Sequence, residues 1–227
     1  MIDCFMVASD EPNADANWQR LLEVMPHAKR VGDAGSIFSS YRECARQCKT
    51  NRFFVVDADN WIVENFDFEW GDVARPGHVF VWRAHNPVNN LVYGHGAIKL
   101  FCVDDWRGFD SCQSRIDVTM SIGDTYRIVD RLASEHRFNT SPFHAWRTAF
   151  RECVKLSAYP RSKPGADVAA DRLKVWVSEG ENQPYGKWCV LGAQQGAAFG
   201  RQHFGNPVEL LKVNDYQWLK DLFALAG

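Results

Sequence analysis

The chain has 227 residues, 46% hydrophobic and 24% charged, enough to bury a sizeable core in one domain or in one domain with an extension. A formal net charge of -2 excludes a general electrostatic pull toward nucleic acid, so any such binding has to come from a local patch. No apolar run approaches the ~18 residues that span a bilayer, and Met1-Ile2-Asp3-Cys4 has no basic region before a long apolar core, so the sequence reads as neither membrane-spanning nor exported by a standard signal. In chain order, Ile2 to Ala8 is a short apolar segment closed by Ser9-Asp10-Glu11-Pro12-Asn13, which predicts a strand and a loop. Trp18, Leu21, Leu22 and Met25 recur at helical spacing until Pro26 stops them, and His27 to Val31 predicts a second strand. Ile37, Tyr41, Cys44, Ala45 and Cys48 predict a second helix. The seven cysteines, an odd number in apolar or helical contexts, read as reduced thiols of a cytosolic protein.

The run Phe53-Phe54-Val55-Val56 shows no polar alternation and predicts a strand buried on both faces. It ends in Asp57-Ala58-Asp59-Asn60, and the preceding strand-helix units imply a parallel arrangement. Ligands of open α/β sheets bind at the carboxyl ends of such strands. Two carboxylates there make a hard-oxygen site suited to Mg2+ or Mn2+ carrying a diphosphate. The same acids also suit a simple turn cap.

Downstream, Trp61 to Val63 and Phe66 to Trp70 read as strands, the second with Phe66, Phe68 and Trp70 on one face. His78 to Arg83 predicts another strand. Tyr93-Gly94-His95-Gly96 then allows a close backbone approach, as a ligand loop or as a plain tight turn, and leads into an apolar strand or helix start. Asp104 and Asp105 follow, and Asp124 closes a strand-like segment from Ile116 to Ile122. A helix from Pro142 to Leu156 opens on a Thr140 or Ser141 cap and carries Arg147, Arg151 and Lys155 every four residues. Between Ala145 and Lys163 five basic residues face a single acid, a stripe suited to a diphosphate or a nucleic-acid backbone, or to plain solvation. After a Pro/Lys/Gly linker at 159–165, helices are expected at Ala166 to Val177, within the Gly/Ala-rich 188–205, and from Val208 to Leu225.

An apolar strand ending in Asp-x-Asp after two strand-helix units resembles the DxD motif of nucleotide-sugar glycosyltransferases with the GT-A fold. The resemblance implies a Rossmann-type mixed sheet flanked by helices over residues 1–157, with a mainly helical C-terminal extension over 158–227 packed on it. It implies that Asp59 holds Mn2+ or Mg2+ and that Asp57 reaches the metal or the ribose of a nucleoside diphosphate sugar, a UDP-sugar for preference. A downstream histidine, His144 or His136, would complete the metal shell. Tyr93, Gly94, His95 and Gly96 would shape the sugar and acceptor pocket, and Arg147 and Arg151 would face the diphosphate. Asp104, Asp105 or Asp124 would serve as the general base that an attacking hydroxyl needs.

More narrowly, VVDADN, NPVNNLVYGHGAIKLF, FNTSPFHAWRTAFRECVKL and VNDYQWLKDLF resemble a group of small bacteriophage proteins associated with sugar transfer to hydroxymethylated pyrimidines in DNA. That resemblance implies double-stranded DNA with hydroxymethylated bases as partner, reached through the major groove or by base flipping, and the host cytoplasm as location. The competing readings are a glycosyltransferase with a non-DNA acceptor, a nucleotidyltransferase and a DNA-associated module without catalysis. A nucleotidyltransferase would carry a Gly-rich basic loop after the first strand, which Ser9 to Asn13 is not. A haloacid dehalogenase-type phosphatase would carry its Asp-x-Asp on the first strand, and here two units precede it.

Overall fold

The computed structural model describes residues 2–226 apart from 70–74, 108 and 110–115. Two compact units are present, one made of Met1–Asn86 and Val92–Arg137, the other of Pro87–Leu91 and Phe138–Gly227.

The first unit begins as expected, with β1 (Asp3–Val7), α1 (Ala14–Val24), β2 (Lys29–Val31), α2 (Ile37–Gln47) and β3 (Arg52–Asp57). The crossovers make β2, β1 and β3 a parallel set. Ser36 caps α2, its side chain accepting from the Ser39 N–H. The turn Ala58-Asp59 then leads to β4 (Asn60–Ile62), followed by β5 (His78–His85), β6 (Val92–Cys102), a 3-10 turn at Asp104–Trp106, α3 (Thr119–Ile122) and β7 (Thr125–His136).

The seven strands lie in the order β2-β1-β3-β6-β5-β7-β4. β6 is antiparallel to β3 and to β5, β7 is parallel to β5, and β4 is antiparallel to β7, so the sheet is mixed. Although joined to β3 by a two-residue turn, β4 sits at the far edge of the strand order. The sheet therefore curls, with the accumulated strand twist, until its last strand returns beside the end of β3. α1 covers one face through Ala14, Leu21 and Met25, packed with Phe54, Val56, Trp82 and Leu100. α2 covers the other through Phe38, Tyr41 and Cys44, packed with Phe53, Val55, Val81 and Phe101.

Several expectations are corrected here. Phe66 and Phe68 are buried as their alternation requires, but Phe66–Glu69 is no strand, and Trp70 lies outside the described residues. The segment Ile116 to Ile122 is a bend followed by α3, and buried Val118, which precedes the helix, and Ile122, which ends it, are four apart, a helical spacing. Tyr93-Gly94-His95-Gly96 is no loop: it opens β6, where Tyr93 pairs Ala84 and Gly94 pairs Arg83. Between Gly94 and Lys99 the register breaks into a bulge that Gly96 turns at φ 75. The twelve-residue β7 had no counterpart in the sequence reading.

The second unit holds α4 (Pro142–Ser157), α5 (Ala166–Ser178), α6 (Gly186–Gln202), α7 (Pro207–Leu211) and α8 (Tyr216–Ala226). The unit boundary at Arg137 precedes the expected one at 157 because α4 shares a core with α5 and α6 through Ala145, Ala149, Cys153, Trp176, Cys189 and Ala193. Gly192 and Gly196 let α6 lie against the α4 backbone at Trp146 and Phe150. The expected closing helix is broken at Asp215, whose carboxylate accepts from the Trp218 N–H and starts α8 afresh. Among the described residues no helix is long and apolar enough to cross a membrane.

Candidate functional site at the carboxyl edge of the sheet

Asp57 ends β3 and Asp59 occupies the turn after it, both at the carboxyl edge of the parallel strands. The turn is held from two sides. The Ala58 N–H donates to the Val7 carbonyl at 3.0 Å. Its carbonyl accepts from Asn17 Nδ2 of α1 at 2.7 Å.

The two carboxylates diverge. Asp57 Oδ1 accepts from the Tyr41 hydroxyl and from Lys99 Nζ, each at 2.7 Å. Asp59 Oδ1 accepts from Asn60 Nδ2 at 2.7 Å, and its Oδ2 lies 2.9 Å from His136 Nε2. Buried Asn60 is itself fixed, its Oδ1 accepting from Ser134 Oγ of β7 at 3.0 Å. The Arg137 N–H donates to the Asp59 carbonyl at 2.7 Å, so the end of β7 grips the turn through backbone and side chain together. The ring of His95, on the β6 bulge, lies 4.1 Å from that of His136, and Tyr93 packs edge-on against His95. This edge thus gathers Asp57, Asp59, Lys99, Tyr41, His136, His95 and Tyr93.

The expected metal set was Asp57, Asp59 and His144. His136 is the histidine beside Asp59. His144 belongs to the second unit, where its Nδ1 is 2.7 Å from the Ser141 Oγ that caps α4. Among the described residues no group of three or more His, Cys, Asp and Glu side chains is placed to cage a metal. The Asp59 and His136 pair does fit two adjacent positions on one cation: cis ligands at ~2.1 Å on an octahedral ion stand about 3.0 Å apart, against the 2.9 Å found here. One carboxylate and one imidazole suit Mn2+, with other positions left to phosphate oxygens and water.

The candidate general bases are brought together, but elsewhere. β6 runs antiparallel to β3, so Asp104 and Asp105 emerge beside Asn51, at the start of β3, where the Val103 N–H donates to the Asn51 carbonyl. Asp124 joins them: it stands against Gly77, whose N–H donates to Asp105 Oδ1 at 2.8 Å. Six residues of strand, roughly 20 Å, separate that edge from Asp57. A base acting on a ligand held at Asp57 and Asp59 is therefore none of these three. Asp104 is exposed and paired with Arg107 at 2.8 Å. Burial raises the Asp105 carboxyl above its ordinary value, assisted by the charges of Asp104 and Asp124.

The basic stripe is likewise corrected. Arg147 is 4% exposed and its guanidinium lies over the rings of Phe143 and Tyr216. Arg151 donates to the Val213 carbonyl, Asn214 Oδ1 and the Tyr216 hydroxyl. Arg151 grips the segment between α7 and α8 and Arg147 lies over the Tyr216 ring that opens α8, because the helix face that looked solvated is covered by the end of the chain. Lys155 pairs with Glu152 at 2.8 Å, while Arg161 and Lys163 are exposed.

Sequence reasoning passed over Lys99 and Tyr41. A signal was present for the first: a single lysine inside Ala97-Ile98-Lys99-Leu100-Phe101, an otherwise apolar strand, needs a carboxylate partner. The chain thus holds a mixed α/β unit with an acid–imidazole pair at its carboxyl edge, and a helical unit. No family model matches the chain, and comparison with curated proteins gives no match.

Proposed function

We propose that the chain is a glycosyltransferase that moves a sugar from a nucleoside diphosphate donor to a hydroxyl acceptor, on a GT-A-like sheet. The observation that carries the reading is the 2.9 Å approach of Asp59 and His136 at the carboxyl end of β3. Asp59 and His136 would hold Mn2+ or Mg2+, which supplies neutralisation of the charge developing on the departing diphosphate. Asn60 and Ser134 fix the Asp59 carboxylate, so its outer oxygen needs little reorganisation to serve. Tyr93 and the bulge at His95 and Gly96 border the same edge and would bound the transferred sugar.

The proposed acceptor is the hydroxymethyl group of a modified pyrimidine in DNA, supported by the four sequence motifs that resemble the bacteriophage group. The commitment of Arg147 and Arg151 to internal contacts favours a second reading, the same transfer to a small non-DNA hydroxyl acceptor. Incubation with UDP- and GDP-sugars and Mn2+, offering hydroxymethylated DNA, unmodified DNA or free sugars, followed by mass spectrometry of the products, separates these. Sugar on hydroxymethylated DNA alone is the expected result. Transfer only to free sugars replaces the acceptor, and absence of donor turnover with every acceptor refutes the transferase.

A further inference from the structure

His95 and His136 come from strands that are not neighbours, since β5 lies between β6 and β7 in the sheet. Their rings nevertheless stand 4.1 Å apart at a tilt of 44°, closer than the about 4.5 to 7 Å usual for aromatic pairs. The β6 bulge lies at this contact. One residue of β5 lies between Val81 and Arg83, whereas four of β6 lie between their partners Lys99 and Gly94. Gly96 turns the extra residues at φ 75, a left-handed conformation that glycine adopts without strain. A bulge of this kind re-aims a side chain. Here that side chain is His95, and Tyr93, 4% exposed, backs it edge-on at 5.5 Å.

We infer that His95 is a positioning residue for His136, its ring holding the His136 imidazole in the plane in which Nε2 meets Asp59 Oδ2. The inference rests on the metal-dependent reading above, in which Asp59 and His136 share a cation, and deepens it. Pairing with Asn60 fixes the His136 backbone but not its ring plane, because the outer torsion of a histidine side chain is broad and about two-fold. A neighbour packed on the ring narrows that torsion. Outer-shell partners that orient a ligand are worth about ten- to a hundredfold in metal affinity. An aromatic face is also the negative side of its ring, so it favours an imidazole polarised by a cation. Both contributions need a ring at position 95, and neither needs a nitrogen on it.

The test is Mn2+ binding, without nucleotide, to wild type, His95→Ala and His95→Phe, each verified as folded by thermal melting. The free-ion electron paramagnetic resonance signal gives the affinity, and pulsed measurements count the imidazole nitrogens bound to the ion. His95→Ala should weaken Mn2+ binding about tenfold, and His95→Phe should restore most of that loss. A single bound imidazole is expected in wild type and in both variants. Should His95→Ala fail to fold, His95→Leu, apolar and without a ring, takes its place. A melting temperature that shifts while Mn2+ affinity stays level in all three proteins overturns the inference and leaves the metal site standing. His95→Phe as weak as His95→Ala overturns it as well, and a second nitrogen in wild type would then make His95 a ligand. Wild type that binds no Mn2+ removes the metal and the positioning role together.

Discussion

Asp59 Oδ2 and His136 Nε2 stand 2.9 Å apart although 77 residues separate them in the chain. The contact exists because β4 follows β3 by two residues yet pairs with β7, which carries the end of β7 back to the turn. Two arrangements share this distance: an imidazole N–H donating to the carboxylate, or both atoms facing one cation. If the second operates, His136→Gln and Asp59→Asn should each weaken Mn2+-supported nucleotide binding by about tenfold or more, while nucleotide binding in chelator should be alike in all three proteins. Equal Mn2+ enhancement in wild type and both variants would assign the pair to turn structure alone.

Arg151 offers a prediction opposite to its appearance in the sequence. Its guanidinium donates to Val213, Asn214 and Tyr216, so Arg151→Ala should loosen the chain from residue 208 onward and lower stability by about 2 kcal/mol, or about 4 to 8 °C in melting temperature. If the protein binds DNA, the slope of log affinity against log salt should be unchanged, since no phosphate contact is lost. A shallower slope with an unaltered melting temperature would return Arg151 to the phosphate-facing role.

How much of this could be read in advance divides along the range of the forces involved. The β-α-β-α-β start, the buried strand from Phe53 to Val56, and the Ser141-Pro142 opening of α4 are set by neighbouring residues, and local pattern sufficed for them. β7 escaped because its burial is uneven: Arg127, Asp130 and Arg131 are exposed in its middle, and only Ala133, Ser134 and His136 near its end are buried. Asp104, Asp105 and Asp124 were misplaced for a related reason. Strand direction decides which edge a residue reaches, and nothing in Ala97 to Cys102 states that β6 runs antiparallel. Arg147 and Arg151 looked solvated since helical spacing shows a charged face without showing what covers it.

Asp105 yields a pH dependence. Burial raises its folded-state carboxyl above the ordinary 3.8, with Asp104 and Asp124 adding to the effect and the Gly77 N–H opposing it. A raised carboxyl means that the folded state favours the proton, so the contribution to stability is complete below 3.8 and is lost as pH rises through the folded value. Asp105→Asn is neutral throughout and keeps an oxygen for the Gly77 N–H. Its melting temperature should match wild type in acid and exceed it at neutral pH. A variant less stable than wild type at pH 7 but not in acid would show that the charged form is the favoured one.

Gly196 lies where α6 meets α4, and a Cβ there would come within 2.2 Å of the Phe150 carbonyl oxygen and 2.8 Å of the Phe150 Cα. Two effects compete in Gly196→Ala. Alanine raises helix propensity by about 1 kcal/mol at an interior position. Overpacking costs about 1 to 3 kcal/mol or more, and here the obstacle is main chain, so relief requires moving a whole helix. The second should win, lowering stability by at least about 1 kcal/mol, or roughly 2 to 4 °C in melting temperature. Gly200→Ala should be milder, since its nearest neighbour is the Ser157 hydroxyl, which can rotate away, leaving the Val154 carbonyl oxygen at 2.8 Å. The order wild type, Gly200→Ala, Gly196→Ala in falling melting temperature is therefore expected. Were Gly196→Ala the most stable of the three, propensity would have prevailed and the two helices would have to stand further apart than they do here.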